Sequence, residues 1–147
     1  MNIEFGIPDH GWLNLRITDG NFFLEDEISD ITNPDFISSF LNFIYCLKTG
    51  RKLPSIIMAL EPHYYEIKIS QIGDDYDFKI QHIDEYTEFQ KLIYSTKGSF
   101  LEIIAPWFKE ISKFLQRGYA DPHWPEIASE QISSFNENYN SLLCSLN

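Results

Sequence analysis

The sequence predicts an α+β fold, in which an antiparallel sheet of about six to seven strands packs against three helices, mostly on one face. Short segments alternate apolar and polar residues, as half-buried strands do. Tight-turn residues join these segments, which favours antiparallel pairing, and the other segments repeat apolar residues at helical spacing. With 147 residues, 44% of them hydrophobic and 16% aromatic, the chain can build one core, so we expect a single domain over residues 1–147.

Strands are predicted in the first part of the chain. A short strand is expected at residues 3–5. Apolar residues then occupy every second position of a longer segment: Leu13, Leu15 and Ile17. Asp19-Gly20 is a hairpin-turn pair, and Phe22 and Leu24 continue the alternation on the returning strand.

A helix is predicted next. Asn33-Pro34 suits its start, because Asn caps helix N-termini and Pro fits the first helical position. Its apolar stripe consists of Phe36, Phe40, Phe43, Ile44 and Leu47. Gly50 is placed to end it.

The middle of the chain returns to strands. The apolar run at residues 55–60 predicts a central strand, which Glu61-Pro62 ends. Two alternating segments follow, one with Tyr65, Ile67 and Ile69 and one with Tyr76, Phe78 and Ile80. Gly73-Asp74-Asp75 forms the turn between them, and a last strand is expected at residues 89–94.

Helical spacing dominates the final third. Apolar residues follow it from Phe100 to Leu115, and Pro106 inside this segment predicts a kink or irregular first turns. Gly118 is the expected end. A last helix carries one apolar face: Ile127, Ile132, Phe135, Tyr139, Leu142 and Leu146.

Sequence signatures of catalysis are missing. The chain contains no GxSxG, P-loop or GxGxxG motif. Its four histidines, His10, His63, His82 and His123, are not spaced as metal ligands. We therefore expect a protein without enzyme activity, metal or cofactor. His82 is interpreted as a structural histidine on a strand face.

Two further patterns concern the cellular setting. Cys46 and Cys144 lie inside apolar helical segments, so we expect buried, reduced thiols. The N-terminal residues lack the pattern of a signal peptide, and the longest apolar stretch, residues 56–60, is too short to cross a bilayer. A cytoplasmic protein is expected.

The segment around Glu61, His63 and Tyr65 is the most distinctive local patch. Glu61, at the end of an apolar strand, is a candidate general acid or base; alternatively its carboxylate accepts hydrogen bonds from backbone donors in the turn. These residues could border a pocket. A small-ligand-binding or adaptor domain is therefore the alternative function.

Net charge is the most informative bulk property. The chain has 22 acidic and 11 basic residues, a net charge of −11, which disfavours nucleic acids and anionic membranes as partners. The negative charge gathers in two tracts, one between Arg16 and Lys48 and one from Asp74 to Glu88. Either the surface serves solubility or it attracts a basic protein. The predicted partner-binding residues, with Trp12 as the candidate anchor, are Trp12, Glu25, Asp26, Glu27, Asp30, Asp74, Asp75 and Asp77.

The order of features resembles the small acidic immunity proteins of bacterial polymorphic and contact-dependent toxin systems, particularly the WapI-type immunity families. It runs through Gly11-Trp12-Leu13, the Asp19-Gly20 turn and the following strand, the helix at residues 36–47, Leu60-Glu61-Pro62, the two alternating strands and the helix at residues 100–115. This resemblance implies a non-enzymatic protein that blocks one cognate toxin by tight binding. Contact residues vary within such families, so the resemblance assigns none here.

Overall fold

The computed structural model describes residues 1–29, 36–118, 121–124 and 127–145. These residues form seven strands and four helices. In chain order they are β1 (Asn2–Phe5), β2 (Trp12–Asp19), β3 (Phe22–Ser29), α1 (Phe36–Lys48), β4 (Ile56–Ala59), β5 (His63–Ile72), β6 (Asp75–Asp84), β7 (Gln90–Gly98), α2 (Phe100–Ile103), α3 (Ala105–Arg117) and α4 (Ser129–Ser145).

The seven strands form one sheet in chain order, and every neighbouring pair is antiparallel. The predicted α+β class and the strand number are confirmed. The last strand is longer than expected, since β7 continues to Gly98. The helix start predicted at Asn33-Pro34 lies outside the described residues.

The sheet bends sharply at the junction between β3 and β4. Among the described residues, only Ser29 and Ala59 pair there. Phe22 of β3 nevertheless stacks on Tyr94 of β7, with ring centroids 4.0 Å apart. Strands that are not neighbours in the sheet therefore contact each other across its interior, and β1–β3 fold towards β5–β7.

Helices close the core on the concave side. The fully buried Phe40 of α1 stacks on Trp107 of α3 at a centroid distance of 5.3 Å, and Phe108 packs edge-on against Phe40. Phe135 of α4 adds a further ring against Phe108. Burying each such side chain contributes roughly 1.5–3 kcal/mol, so these rings carry much of the attachment of the helices.

Pro106 separates two helices rather than kinking one. It occupies the first turn of α3, where a backbone N–H has no helical acceptor and its absence costs little. The preceding α2 is a single turn, and the carboxylate of Glu102 accepts hydrogen bonds from the Ser99 N–H at 2.9 Å and the Ser99 hydroxyl at 2.8 Å. Gly118 ends α3 with a φ of 66°, as expected.

The edge strand β1 is held by side chains of α3. The buried Glu110 carboxylate accepts a hydrogen bond from the Phe5 N–H at 3.0 Å, and Arg117 donates to the Phe5 carbonyl at 2.9 Å. Lys113 forms an ion pair with Glu110 at 2.9 Å. Since a strand edge exposes unpaired backbone groups, these contacts take the place of a neighbouring strand.

The cysteines differ from each other. Both thiols are free, and Cys46 is buried as expected. Cys144 is exposed, so the prediction of a buried thiol was wrong at this position. It lies near the C-terminal end of α4, next to the half-buried Leu143.

Candidate functional site

The two faces of β3 place its acidic residues differently. Directly paired residues of an antiparallel sheet project to the same side. Asp26 pairs with the buried Leu15 and therefore faces the core. Glu25 pairs with Arg16 and Glu27 with Asn14, so both carboxylates lie on the outer face of the sheet.

Asp26 forms a bridge across the bent sheet. Its carboxylate accepts a hydrogen bond from the Tyr65 hydroxyl of β5 at 3.0 Å, and Asp26 is half-buried. Burial of the phenol, with the neighbouring carboxylate as the next cause, raises the pKa of Tyr65. Asp26 therefore connects β3 to β5, a role different from the surface contact expected for it.

Aromatic contacts extend from Tyr65 to the β6–β7 turn. The ring of Tyr65 contacts His82 at 5.6 Å, and His82 contacts His63 at 5.2 Å between ring centroids. The Nδ1 atom of His63 lies 3.7 Å from the carboxylate of Asp84. His82 shares the core-facing side with Ile80, which agrees with the strand face expected for it.

Glu61 is attached to β3 as well. Its carboxylate accepts a hydrogen bond from the Ser29 hydroxyl at 2.5 Å. The acceptor role is as expected, but the donor is a serine hydroxyl of another strand. The buried Ser29 projects to the opposite side of the sheet from His63 and Tyr65, which face the core.

The turn between β6 and β7 is ordered by Asp84. Its Oδ1 atom accepts hydrogen bonds from the N–H groups of Tyr86 at 2.9 Å and Thr87 at 3.1 Å. The Asp84 N–H donates to the Phe89 carbonyl at 3.0 Å. The hydrogen bond from the Thr87 N–H is the main cause that lowers the pKa of the Asp84 carboxyl.

This turn exposes two large aromatic rings. Tyr86 is 81% exposed and Phe89 is 61% exposed. Glu85 and Glu88 lie beside them in the chain and are exposed too. Such large apolar side chains in a polar surrounding are typical of contact surfaces between proteins.

These contacts bring carboxylates from three parts of the chain to one end of the sheet. We call this region the acidic end and define it by Glu27, Glu61, Asp84, Glu85 and Glu88. Within the described ranges, no lysine or arginine forms an ion pair with Glu27, Glu85 or Glu88. Lys91, which pairs with His82 in the sheet, is an exposed cation at this end.

Other predicted contact residues are neutralised by the protein itself. The carboxylate of Glu25 forms an ion pair with Arg16 at 2.9 Å. Asp77 is 9% exposed, and its carboxylate lies 2.6 Å from the ammonium of Lys79. Asp77 is therefore not available for contact with a partner, because it is nearly buried and already paired with Lys79. Asp30 lies outside the described residues.

Asp74 and Asp75 are exposed, but they lie at the opposite end of β6 from Asp84. The nine-residue separation along a strand corresponds to about 30 Å. A cavity of about 310 Å³ near this turn is lined by Gln71 together with Arg51 and Lys52, so cations accompany this second acidic turn.

Trp12 lies on the outer face next to the acidic end. It pairs with Ser29, the residue that binds Glu61, and it is half-buried. Trp124, in contrast, is buried and packs edge-on against Phe114.

The exposed aromatic rings of the β6–β7 turn were not among the predicted contact residues. The available signal was the segment Asp84-Glu85-Tyr86-Thr87-Glu88-Phe89, which combines three acidic and two aromatic residues without a basic residue. Within the part of the chain that the structure describes, no group of three or more His, Cys, Asp and Glu side chains is arranged to hold a metal ion. Nor does any described helix combine the length and apolarity needed to cross a membrane.

Comparison with known proteins gives no match: no family model fits the chain, and neither a curated protein nor a solved structure is significantly similar to it.

Proposed function

We propose that this chain is a non-enzymatic binding protein of the immunity or inhibitor type, which neutralises a basic partner, such as a nuclease toxin, through its acidic end. The observation that carries the proposal is the uneven pairing of charge. Glu25 and Asp77 are matched by Arg16 and Lys79. At the acidic end, exposed carboxylates gather beside exposed aromatic rings.

Like charges held together repel each other and weaken the folded state, and a cationic partner relieves that repulsion. The same field accelerates encounter with a basic protein, which is useful when a toxin must be captured quickly. At physiological ionic strength the field decays over about 8 Å, so it acts on a partner that is already close. An acidic end of this kind repels nucleic acids and anionic lipid surfaces.

The aromatic rings supply what charge alone lacks. Surface ion pairs contribute roughly 0–1 kcal/mol each, too little for tight inhibition. Buried aromatic anchors carry much larger shares of the binding energy at protein interfaces. Tyr86 and Phe89, with the neighbouring carboxylates as a polar rim, fit this organisation.

The first test uses the two exposed hairpin turns as matched sites. Glu85→Gln with Glu88→Gln removes two charges from the acidic end, and Asp74→Asn with Asp75→Asn removes two from the other turn. Binding of a fluorescent oligolysine peptide is measured by anisotropy at low and high salt. We expect about three- to tenfold weaker binding for the first pair at low salt and a smaller effect for the second. Equal effects of the two pairs would contradict an interface at the acidic end.

The genomic neighbourhood provides the test of the biological role. We expect a reading frame for a basic secreted toxin directly beside this one, and co-expression of the two should restore growth. The pair Glu85→Gln and Glu88→Gln should reduce this protection. A neighbouring set of metabolic enzymes, or protection that is insensitive to the acidic end, would contradict the immunity role.

A further inference from the structure

The exposed rings of the β6–β7 turn lie beside carboxylates in the chain. Rings and carboxylates together favour binding of a guanidinium group over an ammonium group. A guanidinium group is planar, stacks on aromatic faces and donates two parallel hydrogen bonds to a carboxylate. A lysine ammonium is a compact, strongly hydrated charge that uses the carboxylate but gains less from the ring. The β6–β7 turn combines the two exposed rings, Tyr86 and Phe89, with two exposed carboxylates beside them in the chain, Glu85 and Glu88.

We propose that the β6–β7 turn recognises arginine side chains on the basic partner, with Tyr86 and Phe89 as stacking surfaces. This inference rests on the proposed function and adds the chemistry of the partner's contact residues. The occupant is an arginine-rich segment of a protein, and charge complementarity with Glu85 and Glu88 is the reason to choose it.

The position of the turn suits this role. It projects beyond the last paired residues of β6 and β7, Ile83 and Gln90. Leu92, near the start of β7, is 54% exposed. The hydrogen bonds of Asp84 hold the loop in one shape before a partner arrives, so little ordering remains to oppose binding.

The experiment compares oligoarginine with oligolysine of equal length. Fluorescence anisotropy at low salt gives the affinity of the complete chain for each peptide. We expect about three- to tenfold tighter binding of oligoarginine, the range for cation–π contacts with one or two exposed rings. The variant with Tyr86→Leu and Phe89→Leu keeps apolar side chains but lacks rings, and it should bind both peptides with nearly equal affinity.

Controls separate the ring effect from general effects. Ile72→Ala removes an exposed apolar side chain at the opposite turn and should leave the preference for arginine intact. A second ring-free variant, Tyr86→Ala with Phe89→Ala, repeats the measurement, and circular dichroism verifies that each variant is folded. Persistence of the arginine preference in both ring-free variants would overturn the inference, as would its absence in the wild type.

The outcomes also separate this inference from the proposed function. If both peptides bind and both need Glu85 and Glu88, but oligoarginine has no advantage, only the arginine site is wrong. If neither peptide depends on Glu85 and Glu88, the acidic end is not the interface, and the proposed function fails with it.

Discussion

Asp26 provides a test of which acidic residues are structural. Asp26→Ala removes the acceptor of the Tyr65 hydroxyl, whereas Glu27→Ala removes the next carboxylate, which lies on the outer face. The two variants lose the same charge from adjacent positions of one strand. Asp26 also accepts a hydrogen bond from the Glu27 N–H at 2.9 Å, so a larger loss for Asp26→Ala is expected from both contacts, and the double-mutant cycle with Tyr65 isolates the bridge between β3 and β5.

The expected magnitude follows from burial. Tyr65 is 7% exposed, and the hydrogen bond to Asp26 measures 3.0 Å. Hydrogen bonds to charged groups contribute about 1.5–3 kcal/mol, and Asp26 is only half-buried, so we expect a loss of about 1–2 kcal/mol. For a chain of this length that corresponds to a decrease in Tm of roughly 2–8 °C. Glu27→Ala should stay within about 0.5 kcal/mol of the wild type.

Urea unfolding followed by circular dichroism gives the free energies of unfolding. Tyr65→Phe keeps the ring and deletes the hydroxyl, so it completes a double-mutant cycle with Asp26→Ala. We expect a coupling free energy of about 1 kcal/mol between the two positions. Additive effects in the cycle, or equal losses for Asp26→Ala and Glu27→Ala, would refute the bridge.

Two further predictions concern the edge strand and the β6–β7 turn. Glu110→Ala leaves the Phe5 N–H without its acceptor and should cost about 1–3 kcal/mol in urea unfolding, whereas the exposed Glu137→Ala should change little. For Asp84, the folded-state pKa is lowered, so its stabilising contribution is present above the pKa of an Asp in the unfolded chain, about 3.9, and is lost as the pH falls through the lower folded-state pKa. Stability measured between about pH 5 and pH 2 should therefore decrease more steeply in the wild type than in Asp84→Asn; parallel curves would contradict this assignment.

Local structure was predictable because alternation and turn chemistry act over a few residues. The Asp19-Gly20 turn joins β2 to β3, and Gly73 and Asp74 lie in the β5–β6 turn. The core-facing position of Asp26 was also readable in principle, since it shares its parity with Leu24 and Ile28 along β3. Asp26 was expected at the surface because it belongs to the acidic tract between Arg16 and Lys48, although the alternation along β3 places it on the core side.

Contacts between strands that are distant in the sequence could not be predicted from such local patterns. The bend of the sheet depends on where the pairing of β3 and β4 ends, and the register at Ser29 and Ala59 has no signature in the alternation. Asp77 illustrates a second limit. Its parity places it on the outer face of β6, opposite Ser70 on one side and Lys97 on the other. Neighbours of this kind, rather than its own segment, decide its burial.

Charge tracts in the sequence do not correspond to charged surfaces in the fold. The second tract divides between the two ends of β6, about 30 Å apart, which is several times the Debye length of about 8 Å. A partner at Glu85 therefore experiences little of the field at Asp74. The net charge of −11 is therefore divided into separate local fields. Substitutions in the β5–β6 turn can serve as the control for substitutions in the β6–β7 turn, the proposed interface.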